Sequence, residues 1–156
     1  MKQLIATTRE QSDRLLKCGV QAESADMTLR TESGEVNFSR HSLETELKFY
    51  EYDDPKRHIE ICPAWSLSAL LGLLPKEIEI DGYPYRISIY FENPDEPVIG
   101  NQWCLYYKPK KYNEKSRIDD VPMYAPDLIE CAVQMIIWLI NHGYQLTGIE
   151  KGGDNE

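Results

Sequence analysis

The alternation of apolar and polar residues is clearest in the segment KEIEIDGYPYRISIYFE, residues 76–92. Asp81-Gly82 at its centre is typical of a type I′ turn, because both central positions of that turn need positive φ angles. With this turn, Glu77 lies opposite Arg86. The apolar side chains then share one face of the hairpin: Ile78, Ile80, Tyr83, Tyr85, Ile87, Ile89 and Phe91. A shift of one residue would bury the charged set, so the pattern predicts a β-hairpin of well-defined register.

Further strands are predicted on both sides of this hairpin. The segment WCLYYK, residues 103–108, alternates in the same way and predicts a third strand, antiparallel to the second, with Tyr107 on its apolar face. Residues 46–54 and 58–62 show similar alternation ahead of the hairpin. Residues 21–46 carry the weakest pattern, in which MTLRT favours a short strand.

Three helices are predicted from capping residues and apolar spacing. The first, near residues 8–18, follows two threonines that can act as its N-cap. The last, residues 126–142, is apolar almost all round. Between them, PAWSLSALLGLLP predicts a short helix at 66–74, with Ser66 as N-cap and Pro75 at its end. Its leucines share one face and no glycines flank the serine, so the motif indicates core packing rather than a nucleophile elbow.

These elements predict an α+β fold in a single domain, residues 3–148. Its sheet is expected to be mostly antiparallel, with four or five strands. We expect the C-terminal helix to pack on one face of this sheet and the helix at 66–74 to plug one end. Residues 149–156 are expected to form a flexible acidic tail.

The composition indicates a soluble, cytoplasmic protein. Hydrophobic residues make up 42% of the 156-residue chain and charged residues 28%, which is ordinary for a globular domain. The longest apolar run is too short to span a bilayer, and the first residues do not form a secretory signal. The four cysteines occur singly, which favours reduced thiols. The net charge of −9 argues against general affinity for nucleic acid and fits a basic protein partner.

Three phrases of the sequence carry a resemblance: EQSDRLLKCGVQAESADM, PAWSLSALLGLLP and AVQMIIWLINHGY. Together they resemble a group of small uncharacterised proteins from phages and prophages of gut bacteria. The resemblance covers most of the chain and implies an accessory protein of a mobile element. It implies no activity, cofactor or catalytic residue.

Residues with acid–base or metal-binding chemistry are few and dispersed. His41, His58, Cys62 and His142 are the candidates that an enzyme would have to bring together. A strand would place His58 and Cys62 about 13 Å apart, too far for a catalytic pair. His41 and Glu44 are three residues apart, but one such pair does not make a metal site. We therefore assign no catalytic residue, cofactor or metal from the sequence.

The segment YYKPKKYNEKSR, residues 106–117, combines basic and aromatic side chains. That combination is typical of proteins that bind single-stranded nucleic acid. The residues that would make the contacts are Lys108, Lys110, Lys111, Arg117, Tyr107 and Tyr112. The alternative is a solvated loop whose lysines protect a sheet edge. The acidic character of the whole chain favours this alternative and makes nucleic acid the less favoured partner.

Trp138 lies in the polar stripe of the C-terminal helix, beside Gln134 and Asn141. A tryptophan at that position needs a cover. Either a loop such as 106–124 packs on it, or a second subunit does, giving a homodimer through the 126–142 helix.

Three functional hypotheses follow. The favoured one is a non-enzymatic accessory protein of a phage or mobile element that binds an unidentified protein through an acidic surface. The second is a single-stranded nucleic-acid factor that uses the 106–117 loop. The third is an enzyme whose site residues are too dispersed to be seen in the sequence.

Overall fold

The described part of the chain, in a computed structural model, comprises residues 5–32, 34–40, 59–91, 102–111 and 121–148. The chain divides into two compact units, Met1–Leu71 and Gly72–Glu156. No helix in the described ranges has both the length and the apolar character needed to cross a membrane.

In its described residues, the first unit is a helix packed on a three-stranded antiparallel sheet. Its elements are α1 (Arg9–Lys17), a single 3-10 turn (Ala22–Ser24), β1 (Met27–Glu32), β2 (Glu35–Ser39) and β3 (Ile59–Ala64). The strand order is β2-β1-β3. Helix α1 packs against β3 and begins with a capping box, in which Thr8 and Gln11 each accept the other's backbone N–H.

Trp65 anchors the interior of the first unit. Its side chain is fully buried, and its indole N–H donates to the Ser24 hydroxyl over 3.0 Å. Its backbone exchanges hydrogen bonds with Thr7, whose hydroxyl accepts from Trp65 N–H and whose own N–H donates to Trp65 O. Because a buried tryptophan needs a partner for its N–H, the Ser24 contact fixes the position of the 3-10 turn.

The described part of the second unit is a four-stranded antiparallel meander with one long helix. Its elements are β4 (Glu77–Ile80), β5 (Tyr83–Phe91), β6 (Trp103–Pro109), β7 (Val121–Ala125) and α3 (Leu128–Asn141). The strand order is β4-β5-β6-β7. Helix α2 (Leu67–Leu73) contains the boundary between the two units.

The predicted hairpin is confirmed in its turn and in its register. Asp81 and Gly82 both have positive φ, 50° and 85°, as a type I′ turn requires. Glu77 pairs with Arg86 and Ile80 with Tyr83. Alternation of charge and apolar character therefore fixed the pairing as expected.

Helix α3 packs on β6 and β7 and buries the face of the sheet that it covers. Leu105 and Tyr107 on β6 and Ala125 on β7 are buried there, opposite a helix whose Ile136 and Leu139 are fully buried. Asp127 caps the helix, since its carboxylate accepts the N–H of Ile129 over 2.7 Å.

The α+β class, the antiparallel strands, the helix on one sheet face and the short helices near 8–18 and 66–74 are confirmed. The strands are shared between two sheets of three and four strands, because Ile59–Ala64 pairs with β1. The strand predicted at 46–54 and the tail at 149–156 lie outside the described residues. The domain bounds 3–148 stay a prediction.

Candidate functional site on the tyrosine face of the four-stranded sheet

The four-stranded sheet has a second face, opposite to the one that α3 covers. Residues directly opposite each other across a ladder share a face, so the registers define its members. We call it the tyrosine face. It comprises Glu77 and Glu79 of β4, Pro84, Arg86, Ser88 and Tyr90 of β5, Cys104, Tyr106 and Lys108 of β6, and Pro122 and Tyr124 of β7.

Three tyrosines surround one buried cysteine at one end of this face. Cys104 is paired with Tyr90 on one side and Tyr124 on the other, and it is only 1% exposed. The rings of Tyr90 and Tyr106 meet edge to face, with centroids 5.3 Å apart. Tyr90 and Tyr124 are nevertheless 40% and 36% exposed. The tyrosines therefore shield the thiol while presenting aromatic surface to solvent.

Hydrogen bonds tie this cluster together. The hydroxyl of Tyr90 is bonded to the Cys104 side chain and to Tyr124, and these contacts, with burial, hold the pKa of Tyr90 well above its usual value. The ring positions are thus fixed by polar contacts as well as by packing. A preformed aromatic surface loses less side-chain entropy when it binds a partner.

Charged side chains occupy the other end of the tyrosine face. Arg86 lies opposite Lys108, and the next row of side chains, with Tyr106, follows about 7 Å along the strand. Glu77 forms an ion pair with Lys110 over 2.6 Å. The described residues between 72 and 148 carry five acidic and five basic side chains, so this unit is locally neutral where it is described.

The structure corrects one residue of the predicted nucleic-acid contact. Tyr107 is fully buried on the face covered by α3, and its hydroxyl donates to the Pro75 carbonyl over 2.6 Å. It cannot serve as a stacking platform, because strand alternation turns it away from Tyr106. Lys108, Lys110 and Lys111 lie at the end of β6 and beyond it, whereas Tyr112 and Arg117 lie outside the described residues.

Tyr90 and Tyr124 are not among the candidate residues predicted from the sequence. Tyr90 follows from the predicted hairpin, since it continues the set that begins with Arg86 and Ser88. Tyr124 has a weaker signal, because the strand VPMYA is short and contains a proline.

Trp138 is partly covered by residues of its own unit. Its ring stacks on His142 with centroids 4.2 Å apart and on Tyr144 at 5.6 Å. Gln134 is half-buried and Asn141 exposed. His142 and Tyr144, at the end of the helix and just after it, thus cover part of the Trp138 ring. The expectation was that the 106–124 loop or a second subunit would cover it. A homodimer through the 126–142 helix stays a prediction.

The cysteines and histidines of the described ranges do not form a reactive group. His142 is exposed, with Nδ1 2.8 Å from the carbonyl of Trp138, while His41 and His58 lie outside those ranges. Burial, together with the nearby Asp13 carboxylate, raises the pKa of the Cys62 thiol. Among the described residues, no three side chains of the metal-binding types are grouped to hold an ion.

Ser66 confirms its predicted role as a helix cap and has an acidic partner in addition. Its hydroxyl accepts the N–H of Ala69 and donates to Asp26 Oδ2 over 2.5 Å, while its own N–H donates to Asp26 Oδ1. Ser66 and Asp26 line an open cavity of about 630 Å³ with Ile5, Met27, Arg40 and Ser68. No imidazole is among these described lining residues. Both carboxylate oxygens of Asp26 are committed to Ser66, so this pair serves to fix the helix start.

No protein-family model, curated protein or solved structure matches this chain.

Proposed function

We propose that this chain is an accessory binding protein of a phage or another mobile element, acting in the cytoplasm, and that it binds a protein partner through the tyrosine face. The observation that carries the proposal is the cluster of Tyr90, Tyr106 and Tyr124, held in place around Cys104 yet partly exposed. Tyrosine and arginine are enriched among the residues that dominate protein–protein binding energy. Arg86 on the same face adds the second of these residue types.

The acidic surface expected from the composition is a separate part of this proposal. Of the net charge of −9, only −2 belongs to the described residues, and that part lies in the first unit. Acidic residues elsewhere in the chain would speed the approach of a basic partner by long-range attraction. The tyrosine face would then supply the contact surface, because it presents aromatic groups beside balanced charges.

Single-stranded nucleic acid is the second candidate, and it is favoured by one observation. Arg86 and Lys108 lie one row of side chains from Tyr106 on the same face. A backbone phosphate at this pair and a base on the ring match the combination used by single-strand binders. Glu77 and Glu79 on the same face and the net charge of −9 oppose it.

The test is affinity capture from cells that carry the mobile element, with nuclease-treated and untreated lysates. The double variant Tyr90→Ser/Tyr124→Ser removes the exposed rings from the tyrosine face. The matched control Ile5→Ser/Val36→Ser removes two exposed apolar side chains from the first unit. We expect one protein to be retained by the wild type and the control, to be lost by the tyrosine variant, and to survive nuclease treatment.

Two results would contradict the protein-binding proposal. If the control loses the same protein, or the tyrosine variant keeps it, the tyrosine face is not the contact surface. If capture depends on nucleic acid and Arg86→Glu/Lys108→Glu abolishes salt-sensitive binding to an oligonucleotide, the second candidate is correct.

A further inference from the structure

Strand β5 has one edge that β4 covers only in part. β4 pairs with Tyr83–Arg86, and the Ile87 N–H donates to the Lys76 carbonyl over 3.0 Å. Beyond Ile87, none of the described strands pairs with this edge. An uncovered strand edge offers N–H and C=O groups to another strand, and proteins usually protect such edges with charges or prolines.

Beyond Ile87, the described residues of β5 include neither a charged side chain nor a proline. This uncovered part runs through Ile89, Tyr90 and Phe91, which are 39%, 40% and 46% exposed. Both faces of the sheet therefore carry exposed apolar side chains along this edge. A strand that pairs with this segment would therefore need apolar side chains on both of its faces.

Alternation along β5 identifies the backbone groups on this edge. Since the N–H of Ile87 points toward Lys76 and the ladder to β6 is regular through Phe91, the backbone groups of Ile89 and Phe91 point to the same side. Those of Tyr90 point to β6. A strand that pairs here must bond to Ile89 and Phe91 and must stop before Ile87, where Lys76 already lies.

We infer that two copies of this chain associate through this edge, with their β5 strands antiparallel about a two-fold axis at Tyr90. In this register Ile89 faces Phe91 of the second copy, and the two residues exchange both backbone hydrogen bonds at each end of the contact. Tyr90 faces its own counterpart on the tyrosine face. The pairing joins two four-stranded sheets into one and places two tyrosine faces side by side.

The side chains of β5 favour a second copy of this chain as the partner strand. Ile89 meets Phe91 on the face toward α3, where Phe91 also packs on Trp103 with ring centroids 5.1 Å apart. Tyr90 meets Tyr90 on the other face. A register centred on Ile89 would place Phe91 of the second copy opposite Ile87, where Lys76 blocks it. Of these two registers, only the one centred on Tyr90 is open to a second copy.

The first experiment measures the mass of the protein in solution by sedimentation equilibrium, from micromolar to millimolar concentration. We expect a reversible dimer for the wild type. Ile89→Pro removes an N–H that faces the second copy and keeps the ladder to β6, so its dissociation constant should rise by at least about tenfold. Ile89→Val, which keeps the N–H, should remain a dimer.

The second experiment does not depend on how well the proline variant folds. In the proposed register the two Tyr90 Cα atoms are about 4.5 Å apart, within reach of a disulfide. Tyr90→Cys in a Cys104→Ala background should therefore form a covalent dimer under mild oxidation. Ile89→Cys in the same background should not, since its two Cα atoms are about 8 Å apart.

Each remaining outcome contradicts the inference. A wild-type protein that stays monomeric at all concentrations shows that this edge does not pair with a second copy. A dimer that Ile89→Pro leaves intact, or cross-linking at position 89 rather than 90, places the contact elsewhere, for example on the 126–142 helix.

Discussion

The two faces of the four-stranded sheet differ most clearly at two adjacent tyrosines on β6. Tyr107 is fully buried under α3, and its hydroxyl is bonded to the carbonyl of Pro75. Tyr106, one residue earlier, lies on the tyrosine face and contacts the ring of Tyr90. The same residue type thus stabilises the interior on one face and forms a partly exposed aromatic surface on the other.

This difference separates stability from binding. The face toward α3 buries its apolar side chains against a helix, so truncating them should lower the free energy of unfolding. The tyrosine face buries Cys104 but leaves Tyr90 and Tyr124 partly exposed, so truncation there should change binding more than folding. A substitution on one face can therefore be compared with a substitution on the other face of the same sheet.

The largest effect is expected for Leu105→Ala, on the face that α3 covers. Leu105 is fully buried, and its loss leaves a cavity between sheet and helix. We expect the free energy of unfolding to fall by about 2–5 kcal/mol, measured by urea denaturation.

Tyr124→Ser is the comparison on the other face, at 36% exposure. It should lower the free energy of unfolding by less than about 1 kcal/mol. Equal losses for the two variants would show that the tyrosine face is as much a core as the face toward α3.

A loss smaller than that of Leu105→Ala is expected for Tyr107→Phe, which keeps the ring and removes the hydroxyl. The Pro75 carbonyl would lose its 2.6 Å hydrogen bond within a buried site. The cost should be about 1–3 kcal/mol in the free energy of unfolding, because a buried acceptor is left unpaired. Tyr106→Phe is the matched control. A loss as large for the control would contradict the assignment of the two faces.

Much of the second unit could be predicted from sequence because its signals are local. Asp81-Gly82 selects the turn type, and the alternation around it fixes the register at Glu77 and Arg86. The 126–142 helix is long and apolar, with a capping Asp127. By contrast, the division of strands between two sheets depends on which strand pairs with Ile59–Ala64. No local sequence pattern predicts that pairing.

The candidate site was only partly predictable. Lys108 was identified from the density of basic residues, but Tyr107 was assigned to the same contact although its place in the alternation put it on the apolar face. Tyr90 could have been found from the hairpin register. Tyr124 could not, since it contributes only after β7 pairs with β6 and aligns it with Cys104.

The last effect is a pH dependence that comes from Cys131 of α3, whose thiol lies 3.3 Å from the Trp103 carbonyl of β6. Burial, and secondarily the Cys104 thiol, raise the pKa of Cys131 from its ordinary value of 9.0 to about 12. A pKa raised in the folded state stabilises it fully below the unfolded value, and that contribution is lost as pH rises from about 9 to about 12. At pH 10 the loss should be about 1.4 kcal/mol. The free energy of unfolding of Cys131→Ala should therefore fall less steeply above pH 9 than that of the wild type.

Val133→Ala, a neutral truncation of a fully buried residue on the same helix, should keep the wild-type slope. If Cys131→Ala also keeps that slope, the thiol is not held neutral by its burial between α3 and the sheet.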